Sequence, residues 1–383
     1  RFGFGSVLPG GTIWIHAVSV GEVQAAEPLI KQLLARHPRH PLLLTTVTPT
    51  GAARARQLFG ETVQLRYVPF DLPGSVRRFF DRVHPRLAMI LETELWPNLY
   101  AECGRRGVPL VLASARISPR SVGRYRRLVP LFRQALSHGI VIAAQSETDA
   151  ARFRSIGANP QRTHVTGNIK FDFQPPPGIA ERGARWREMN APDRPIWVAG
   201  STHEGEEDMI LEAHRIVLRR FPDALLLLVP RHPQRFDAVR DLLTRRGEAF
   251  TNRSSGTAIP RATSVMLGDT MGELMMFYAA ADVAFVAGSL VPIGGHNLLE
   301  PVSLGRPVLT GPHNFNSEAA ARLLLEAGAA RVVANTGQLG AAVSDLLGDS
   351  GLRTSMGAAG RAVLDANRGA LDRLLKLVDP LLS

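Results

Sequence analysis

Short β-rich runs alternate with segments of helical periodicity along almost the whole chain. A run at 12–18 precedes a segment at 23–35 whose apolar residues recur at helical spacing. The same alternation continues to residue 113 and is found again from 196 to 310. Strands that alternate with helices form parallel sheets with helices on both faces. The pattern therefore predicts an α/β protein built from two doubly wound domains.

A run of three prolines, Pro175–Pro177, separates the two series. Proline can neither continue a helix nor lie inside a sheet, so this segment is typical of a linker. We expect a first domain at 1–172, a hinge at 173–178 and a second domain at 179–360. A helical tail at 361–383 is expected to pack back on the first domain. The length of 383 residues suits two domains.

The chain has 45 Lys and Arg residues against 34 Asp and Glu, a formal net charge of +11. This excess indicates an anionic partner, which could be a nucleic acid, a membrane surface or a phosphorylated substrate. An arginine-rich segment with interleaved apolar residues favours anionic lipid, with a nucleic acid or a merely solvated face as alternatives. Its candidate lipid-contacting residues are Arg116, Arg120, Arg124, Arg126 and Arg127.

Cysteine content and hydropathy restrict the compartment. The single cysteine, Cys103, excludes an internal disulfide and a cysteine-rich metal site, which favours a reducing cytoplasm. The sequence contains no apolar run of the ~20 residues that a membrane span requires.

In the second half of the sequence, three motifs follow predicted strands, where open α/β sheets bind their ligands. Pro230 and Arg231 end the most apolar strand, and two glycine-containing loops at 268–274 and 291–301 each open a helix. Backbone N–H groups at such helix starts can bind phosphate. Each motif alone is equally compatible with an ordinary turn, cap or surface arginine. Their coincidence in one half predicts a nucleotide site.

In the first half of the sequence, acidic residues follow two strands. Glu22 lies at a helix start, which favours its ionised form and a role as a proton acceptor, although a simple N-terminal helix acid is the alternative. Glu92 and Glu94 precede Trp96, an arrangement found in sugar sites, although the tryptophan could serve packing alone. Lys170 lies just before the linker, and could reach the same region or be an ordinary solvated lysine.

Several chemistries lack their motifs. The sequence contains no Asp-X-Asp or His-Glu-X-X-His pattern, so a protein-bound catalytic metal is not indicated. It also contains neither Gly-X-Ser-X-Gly nor a Walker loop, which argues against an esterase and a P-loop NTPase.

An ordered set of motifs along nearly the whole chain resembles the bacterial 3-deoxy-D-manno-octulosonic acid (Kdo) transferases of lipid A assembly. The motifs lie at 19–22, 45–51, 92–98, 201–206, 231–233, 268–274 and 294–300. The resemblance implies a GT-B glycosyltransferase, with two Rossmann-like domains that face each other across a cleft. It further implies inverting transfer of Kdo from CMP-Kdo to a phosphorylated lipid A precursor, lipid IVA, with no cofactor and no bound metal. The cytoplasmic face of the inner membrane is the implied location, and no nucleic acid is involved.

The resemblance also assigns roles to individual residues. The proton acceptor falls on Glu22, and groups that assist the transition state fall on Glu92 and Lys170. The expected contacts with the cytidine monophosphate of the donor are Pro230, Arg231, Met271, Gly272, Glu273, Asn297, Leu298, Leu299 and Glu300. Family members carry a hydrophobic membrane anchor ahead of a stretch like the one at which this sequence begins, so we expect this chain to lack the anchor.

Two alternatives remain at this point. One is another GT-B sugar enzyme, such as a nucleotide-sugar epimerase or an N-acetylglucosaminyl transferase. The other is a basic, non-catalytic module that binds membrane or nucleic acid.

Overall fold

The structure is a computed structural model that describes residues 1–92, 94, 96–117, 122 and 139–382. Contacts within the chain divide it into two compact units. The first unit comprises Arg1–Asp172 together with Asn367–Ser383, and the second comprises Phe173–Ala366.

The first unit contains a seven-stranded parallel sheet in the order β3-β2-β1-β4-β5-β6-β7. Its strands are β1 (Thr12–His16), β2 (Leu42–Thr46), β3 (Gln64–Tyr67), β4 (Pro85–Leu91), β5 (Leu110–Ala115), β6 (Val141–Ala144) and β7 (Thr163–Val165). The described helices between them are α1 (Val20–Arg36), α2 (Pro49–Phe59), α3 (Pro73–Val83), α4 (Pro97–Arg106) and α5 (Glu147–Ser155).

Side chains of β1 alternate between two cores, one on each face of this sheet. Trp14 packs edge-on against Phe79 and Phe80 of α3, at ring-centroid distances of 4.8 and 5.8 Å. Ile13 and Ile15 lie in the opposite core, with the buried residues of α1. Because every second residue of a strand points to the same face, a run that is apolar throughout is buried on both sides. The sheet is therefore covered by helices on both faces.

The second unit repeats this architecture with the strand order β10-β11-β9-β8-β12-β13-β14. Its strands are β8 (Ile196–Thr202), β9 (Leu225–Pro230), β10 (Phe250–Asn252), β11 (Val265–Leu267), β12 (Val283–Val286), β13 (Val308–Thr310) and β14 (Ala330–Val332). Its described helices are α6 (Ile179–Asn190), α7 (Glu207–Arg220), α8 (Phe236–Arg245), α9 (Leu274–Ala280), α10 (Leu299–Ser303), α11 (Glu318–Glu326), α12 (Thr336–Gly348) and α13 (Ser350–Asn367).

The carboxyl-terminal tail differs from its prediction. Helix α13 runs through the expected boundary at 360 without a break, and the second unit extends to Ala366. Gly369, with φ of 85°, separates α13 from a second helix, α14 (Ala370–Leu382). Apolar residues of α14 lie in the core of the first unit beside Ile13 and Ile15. The tail is thus two helices, of which only the last belongs to the first unit.

The predicted alternation of strands and helices is confirmed, with most boundaries shifted by one to three residues. Four short strands, β6, β7, β10 and β14, carried no prediction. Within the described ranges, no helix is long and apolar enough to span a bilayer.

Gly183 allows α6 to pack closely against α9. A Cβ atom at this position would lie 2.4 Å from the Cβ of Ala279 and 2.8 Å from its carbonyl carbon. We expect Gly183→Ala to lower the free energy of unfolding by about 1–3 kcal/mol, because the helices must move apart. Chemical denaturation measures this loss.

The matched control is Gly337→Ala at the start of α12. There the nearest atom to an added Cβ would be Asn335 Oδ1, at 3.5 Å. This change should leave stability equal or higher, because alanine favours a helix. Equal losses in both variants would contradict the packing argument.

Candidate active site

Strand order determines which loops of the first unit meet. Sequential neighbours run outward in opposite directions from β1 and β4, which are adjacent in the sheet. Loops after such a pair diverge and leave a crevice at the carboxyl edge of the sheet. Glu22 lies in the first turn of α1, after β1, and Glu92 directly follows β4. Topology therefore places two carboxyl groups at this edge.

Glu92 is the centre of a charged cluster. Lys170 Nζ donates to its Oε1 at 2.6 Å, and Arg116 Nε donates to its Oε2 at 3.2 Å. Burial alone would raise the pKa of Glu92, but Lys170 and Arg116 outweigh it and hold the pKa below its usual value. Glu92 also has a φ of 58°, a conformation that costs a non-glycine residue about 1–3 kcal/mol. An ionised carboxylate is thus held between two cations.

Glu22 behaves differently from the expectation drawn from its helix position. Its Oε2 accepts a hydrogen bond from the Val18 N–H at 2.6 Å, yet burial raises its pKa to about 7, helped by the negative charge of Glu92. The helix start and Lys170 favour ionisation, but they are outweighed. The helix start was expected to favour the ionised form, but burial and Glu92 oppose it, so the pKa of Glu22 lies near neutral pH.

Glu94 and Trp96, which follow β4, contact each other directly. Trp96 Nε1 donates to Glu94 Oε2 at 2.8 Å, and burial raises the pKa of Glu94. The ring of Trp96 also meets His16 edge-on at 6.1 Å. The tryptophan therefore serves both packing and hydrogen bonding.

His16, at the end of β1, was missed by sequence reasoning. It is 1% exposed, its Nδ1 lies 3.1 Å from the Thr45 carbonyl oxygen, and burial lowers its pKa to about 4. Its Nε2 has no hydrogen-bond partner among the residues that the structure describes. A single histidine that ends a buried strand was the available signal.

The basic segment is only partly described. Arg116 contacts Glu92 and so belongs to the charged cluster. Arg120, Arg124, Arg126 and Arg127 lie outside the described residues.

In the second unit, strands β8 and β12 are the corresponding adjacent pair. Three histidines gather after β8, β9 and β12, and sequence reasoning assigned no role to any of them. His203 Nε2 lies 2.8 Å from His296 Nε2, and the ring of His232 meets His203 at 5.4 Å. Burial, together with the nearby charge of Arg231, lowers the pKa of His203 to about 4 and of His296 to about 3. The histidines are therefore neutral and lie close to the arginine predicted to bind phosphate.

Glu206 organises the loop after β12. It is completely buried, and its carboxylate accepts hydrogen bonds from the backbone N–H groups of His203, Gly288, Ser289 and Leu290 at 2.7–3.1 Å. The motif at 201–206 contained this residue, but only the fold shows that it holds the loop that leads to His296.

Glu273 already has partners within its own unit. Arg253 forms two hydrogen bonds with it, at 2.8 and 3.0 Å, and Thr270 Oγ1 donates to it at 2.5 Å. Met271 is 56% exposed, and a Cβ at Gly272 would meet no atom within 4 Å. Met271 and Gly272 are therefore the exposed residues of this loop.

The loop that contains Gly294 and Gly295 was expected to offer backbone N–H groups to an anion. In the structure, these two glycines instead allow close packing. A Cβ at Gly294 would lie 2.4 Å from Phe315, and one at Gly295 would lie 2.7 Å from Asn314 Oδ1. The Gly295 N–H donates to the Gly288 carbonyl at 2.8 Å and is not available to an anion. The glycines let the loop pack against residues 313–316.

The following residues, 297–300, present mainly backbone and polar atoms. Asn297 Oδ1 accepts from the Leu299 N–H at 3.1 Å, and Asn297 Nδ2 donates to Glu300 Oε1 at 3.3 Å. Leu298 and Leu299 are buried, so only their backbone atoms are available to a ligand. Pro230 is buried at the end of β9, and the Arg231 N–H donates to the Thr202 carbonyl at 3.0 Å.

Comparison with solved structures defines the class of the fold. A glycosyltransferase from Rickettsia africae matches with a TM-score of 0.63, at 14% identity over 98% of this chain and 100% of that one. HepE from Anabaena in complex with UDP matches with a TM-score of 0.60, at 15% identity over 97% of this chain and 99% of that one. The two parallel-sheet units and these neighbours confirm the GT-B glycosyltransferase fold.

Sequence comparison gives the family. The family model for 3-deoxy-D-manno-octulosonic-acid transferase (kdotransferase) matches residues 1–173. The 3-deoxy-D-manno-octulosonic acid transferase of Haemophilus influenzae is 44% identical over 100% of this chain and 90% of its own length. That of Bordetella pertussis is 41% identical over 96% of this chain and 86% of its own length. The chain belongs to the Kdo transferase family, and the resemblance read from its motifs is confirmed.

We expect Glu206→Gln to lower the free energy of unfolding by at least about 2 kcal/mol. Glutamine offers one acceptor oxygen in place of two, and each buried N–H left without a partner costs about 1–3 kcal/mol. Urea denaturation measures the loss. Glu204→Gln, in the same loop with a side chain 88% exposed, is the control and should change stability by less than about 0.5 kcal/mol. A Glu206→Gln variant as stable as the control would refute the structural role.

Proposed function

We propose that this protein transfers Kdo from CMP-Kdo to the phosphorylated lipid A precursor lipid IVA, with inversion at the transferred carbon. Family membership supports the sugar, because the relatives are Kdo transferases by name. The observation that carries the mechanism is the raised pKa of the half-buried Glu22, about 7. This residue lies near the charged cluster formed by Glu92, Lys170 and Arg116.

Glu22 is the general base of this proposal. A base works best when its pKa lies near the operating pH, because it is then both deprotonated in part and able to hold a proton. Glu22 takes the proton of the acceptor hydroxyl while that oxygen attacks the sugar carbon. Direct attack on the face opposite the leaving CMP gives inversion.

Glu92 and Lys170 set the electrostatics around that base. The carboxylate of Glu92 raises the pKa of Glu22, and the charge of Lys170 lowers it. With Arg116 included, the cluster holds two cations against one fully ionised carboxylate. Such a site suits the phosphates of the acceptor and the carboxylate of the sugar, while leaving Glu22 able to exchange a proton.

The second unit supplies the donor site in this proposal. Arg231 and the backbone of Met271 and Gly272 bind the phosphate of CMP, and residues 297–300 with Pro230 contact the nucleoside. We assign stabilisation of the departing phosphate to these groups rather than to a protein-bound metal ion. Donors fixed before reaction stabilise developing charge without reorganisation.

The location proposed for this reaction is the cytoplasmic face of the inner membrane. The acceptor is a lipid, and the net charge of +11 favours approach to anionic head groups. Arg116 and the basic residues that follow it in sequence are the proposed contacts.

Glu22→Gln tests the base. We expect transfer of Kdo to lipid IVA, followed by product mass, to fall about 10²- to 10⁴-fold, which is the typical contribution of a general base. Binding of CMP should not change, because the nucleotide contacts lie in the second unit. Glu27→Gln, on the same helix and paired with Lys31 at 2.7 Å, is the control and should retain activity. Near-normal transfer by Glu22→Gln would exclude Glu22 as the base.

The pH profile gives a second test. Because Glu22 must be deprotonated to accept a proton, kcat/KM, which reports the free enzyme, should fall as the pH is lowered through about 7. Initial rates at substrate concentrations well below KM measure this fall. A limb centred near 4.5, the ordinary value for glutamate, would contradict the raised pKa.

A further inference from the structure

Lys170 lies on a very short structural element. It belongs to a 3₁₀ turn, Ile169–Asp172, whose neighbouring side chains Ile169 and Phe171 are buried. A turn of four residues has too few internal hydrogen bonds to fix its own orientation. The side chain of Asn168 supports it from one side, because its Oδ1 accepts from the Lys170 N–H at 3.0 Å.

Helix α14 holds the other side of this turn. The two oxygens of Asp172 accept hydrogen bonds from the N–H groups of Gly369 and Leu371, both at 2.6 Å. These N–H groups begin a helix and have no partner within it. A carboxylate at this end of a helix is also favoured by the helix dipole. Asp172 therefore connects the Lys170 turn to a helix nearly 200 residues later in the chain.

A second contact holds Thr166, which follows β7 and precedes the turn. Arg373 Nε donates to the Thr166 carbonyl at 2.8 Å. Next to it, a Cβ at Gly167 would lie 3.1 Å from Arg373 Nη2 and 3.2 Å from the Cβ of Ala370. The segment from Thr166 to Asp172 is thus held at both ends by the first turn of α14.

The position of Lys170 affects the pKa values of Glu92 and Glu22, because the effect of its charge depends on distance. Its Nζ lies 2.6 Å from Glu92 Oε1, and its charge also reaches Glu22. Lysine is a flexible point charge, so the backbone that carries it decides where that charge is. If the turn moves, Glu92 keeps only Arg116 among these two cations.

We propose that Asp172 and Arg373 are positioning residues, and that α14 acts as a strap that fixes Lys170 against Glu92. This inference rests on the proposed function, which gives Glu22, Glu92 and Lys170 their roles. Asp172 and Arg373 contact neither the carboxylate of Glu92 nor that of Glu22, and act only through the turn.

Asp379, near the far end of α14, offers a matched control. It accepts from Arg36 Nη1 at 2.8 Å and pairs with His37 Nε2 at 3.0 Å. Its loss weakens the attachment of the same helix without touching the Lys170 turn. Leu374, Leu375 and Val378 hold the helix in the core in either variant.

The experiment compares Asp172→Asn with Asp379→Asn in the transfer assay. We expect Asp172→Asn to lower kcat about 10- to 100-fold, because a displacement of order 1 Å at a reacting site can have that effect. The KM for CMP-Kdo should not change, and Asp379→Asn should keep normal kcat. Melting temperatures of both variants show how far each helix end is destabilised. If Asp172→Asn does not fold, Arg373→Met, which removes the donor to Thr166, carries the same expectation.

Two further readouts separate positioning from general destabilisation. In a Lys170→Met background, Asp172→Asn should cause no additional loss of kcat, because both changes remove the same interaction. The fall of kcat/KM at acid pH should also move to higher pH in Asp172→Asn. Glu22 faces Glu92, Glu94, Lys170 and the Val18 N–H, and removing the cation from this set favours its protonated form.

The inference is overturned if Asp172→Asn resembles Asp379→Asn in kcat, or if its full effect persists in the Lys170→Met background. Failure of the proposed function has a different signature: wild-type protein without transfer, or transfer that survives Glu22→Gln. A wild-type protein that requires Glu22 but not Asp172 would refute the strap alone.

Discussion

The ion pair between Lys170 and Glu92 is the interaction on which the electrostatics at the polar edge of the first unit depend. It keeps a partly buried carboxylate ionised, and that negative charge in turn helps raise the pKa of Glu22 to about 7. Two carboxyl groups at the same edge of one sheet thus have opposite protonation behaviour. Cations satisfy one of them, whereas the other has a backbone N–H as its hydrogen-bond donor. Separation of two pKa values by environment is how one site obtains both a fixed charge and a proton acceptor.

Parallel topology explains why these groups meet. Glu22, Glu92, Arg116 and Lys170 are far apart in sequence, but each follows a strand of the same parallel sheet. Their loops therefore open at one edge. The second unit repeats this arrangement, with His203, Arg231 and His296 after β8, β9 and β12. Parallel strands thus give each unit one polar edge, and we assign the acceptor to the first and the donor to the second.

Sequence reasoning reached the alternation of elements because each long strand is apolar and each long helix is periodic. It also singled out Glu22, Glu92 and Lys170, which the structure brings together, while the roles expected of them came from the family resemblance. It could not show the raised pKa of Glu22, which depends on burial and on Glu92, 70 residues away in the chain. It likewise missed His203 and His296, because the contact between their rings depends on how two loops pack. The glycine-containing loop at 291–301 was expected to offer N–H groups to phosphate, whereas Gly294 and Gly295 pack against residues 313–316.

Carboxylates in this chain differ in the number and type of their hydrogen-bond partners, and this difference distinguishes structural from chemical roles. Glu206 accepts four backbone hydrogen bonds and is fully buried, so it has no capacity left for a substrate and instead fixes a loop. Asp172 resembles it on a smaller scale, with two backbone N–H groups of α14. Glu92 is held by side-chain cations, whose positions depend on the loops that carry them. Glu22 accepts a hydrogen bond from the Val18 N–H and has a pKa of about 7, so a small change in its surroundings shifts the balance between its protonated and ionised forms. Carboxylates whose partners are backbone N–H groups hold loops and turns in place. Asp172 does so for the turn that carries Lys170, and the distance from Lys170 to Glu92 in turn affects the pKa of Glu22.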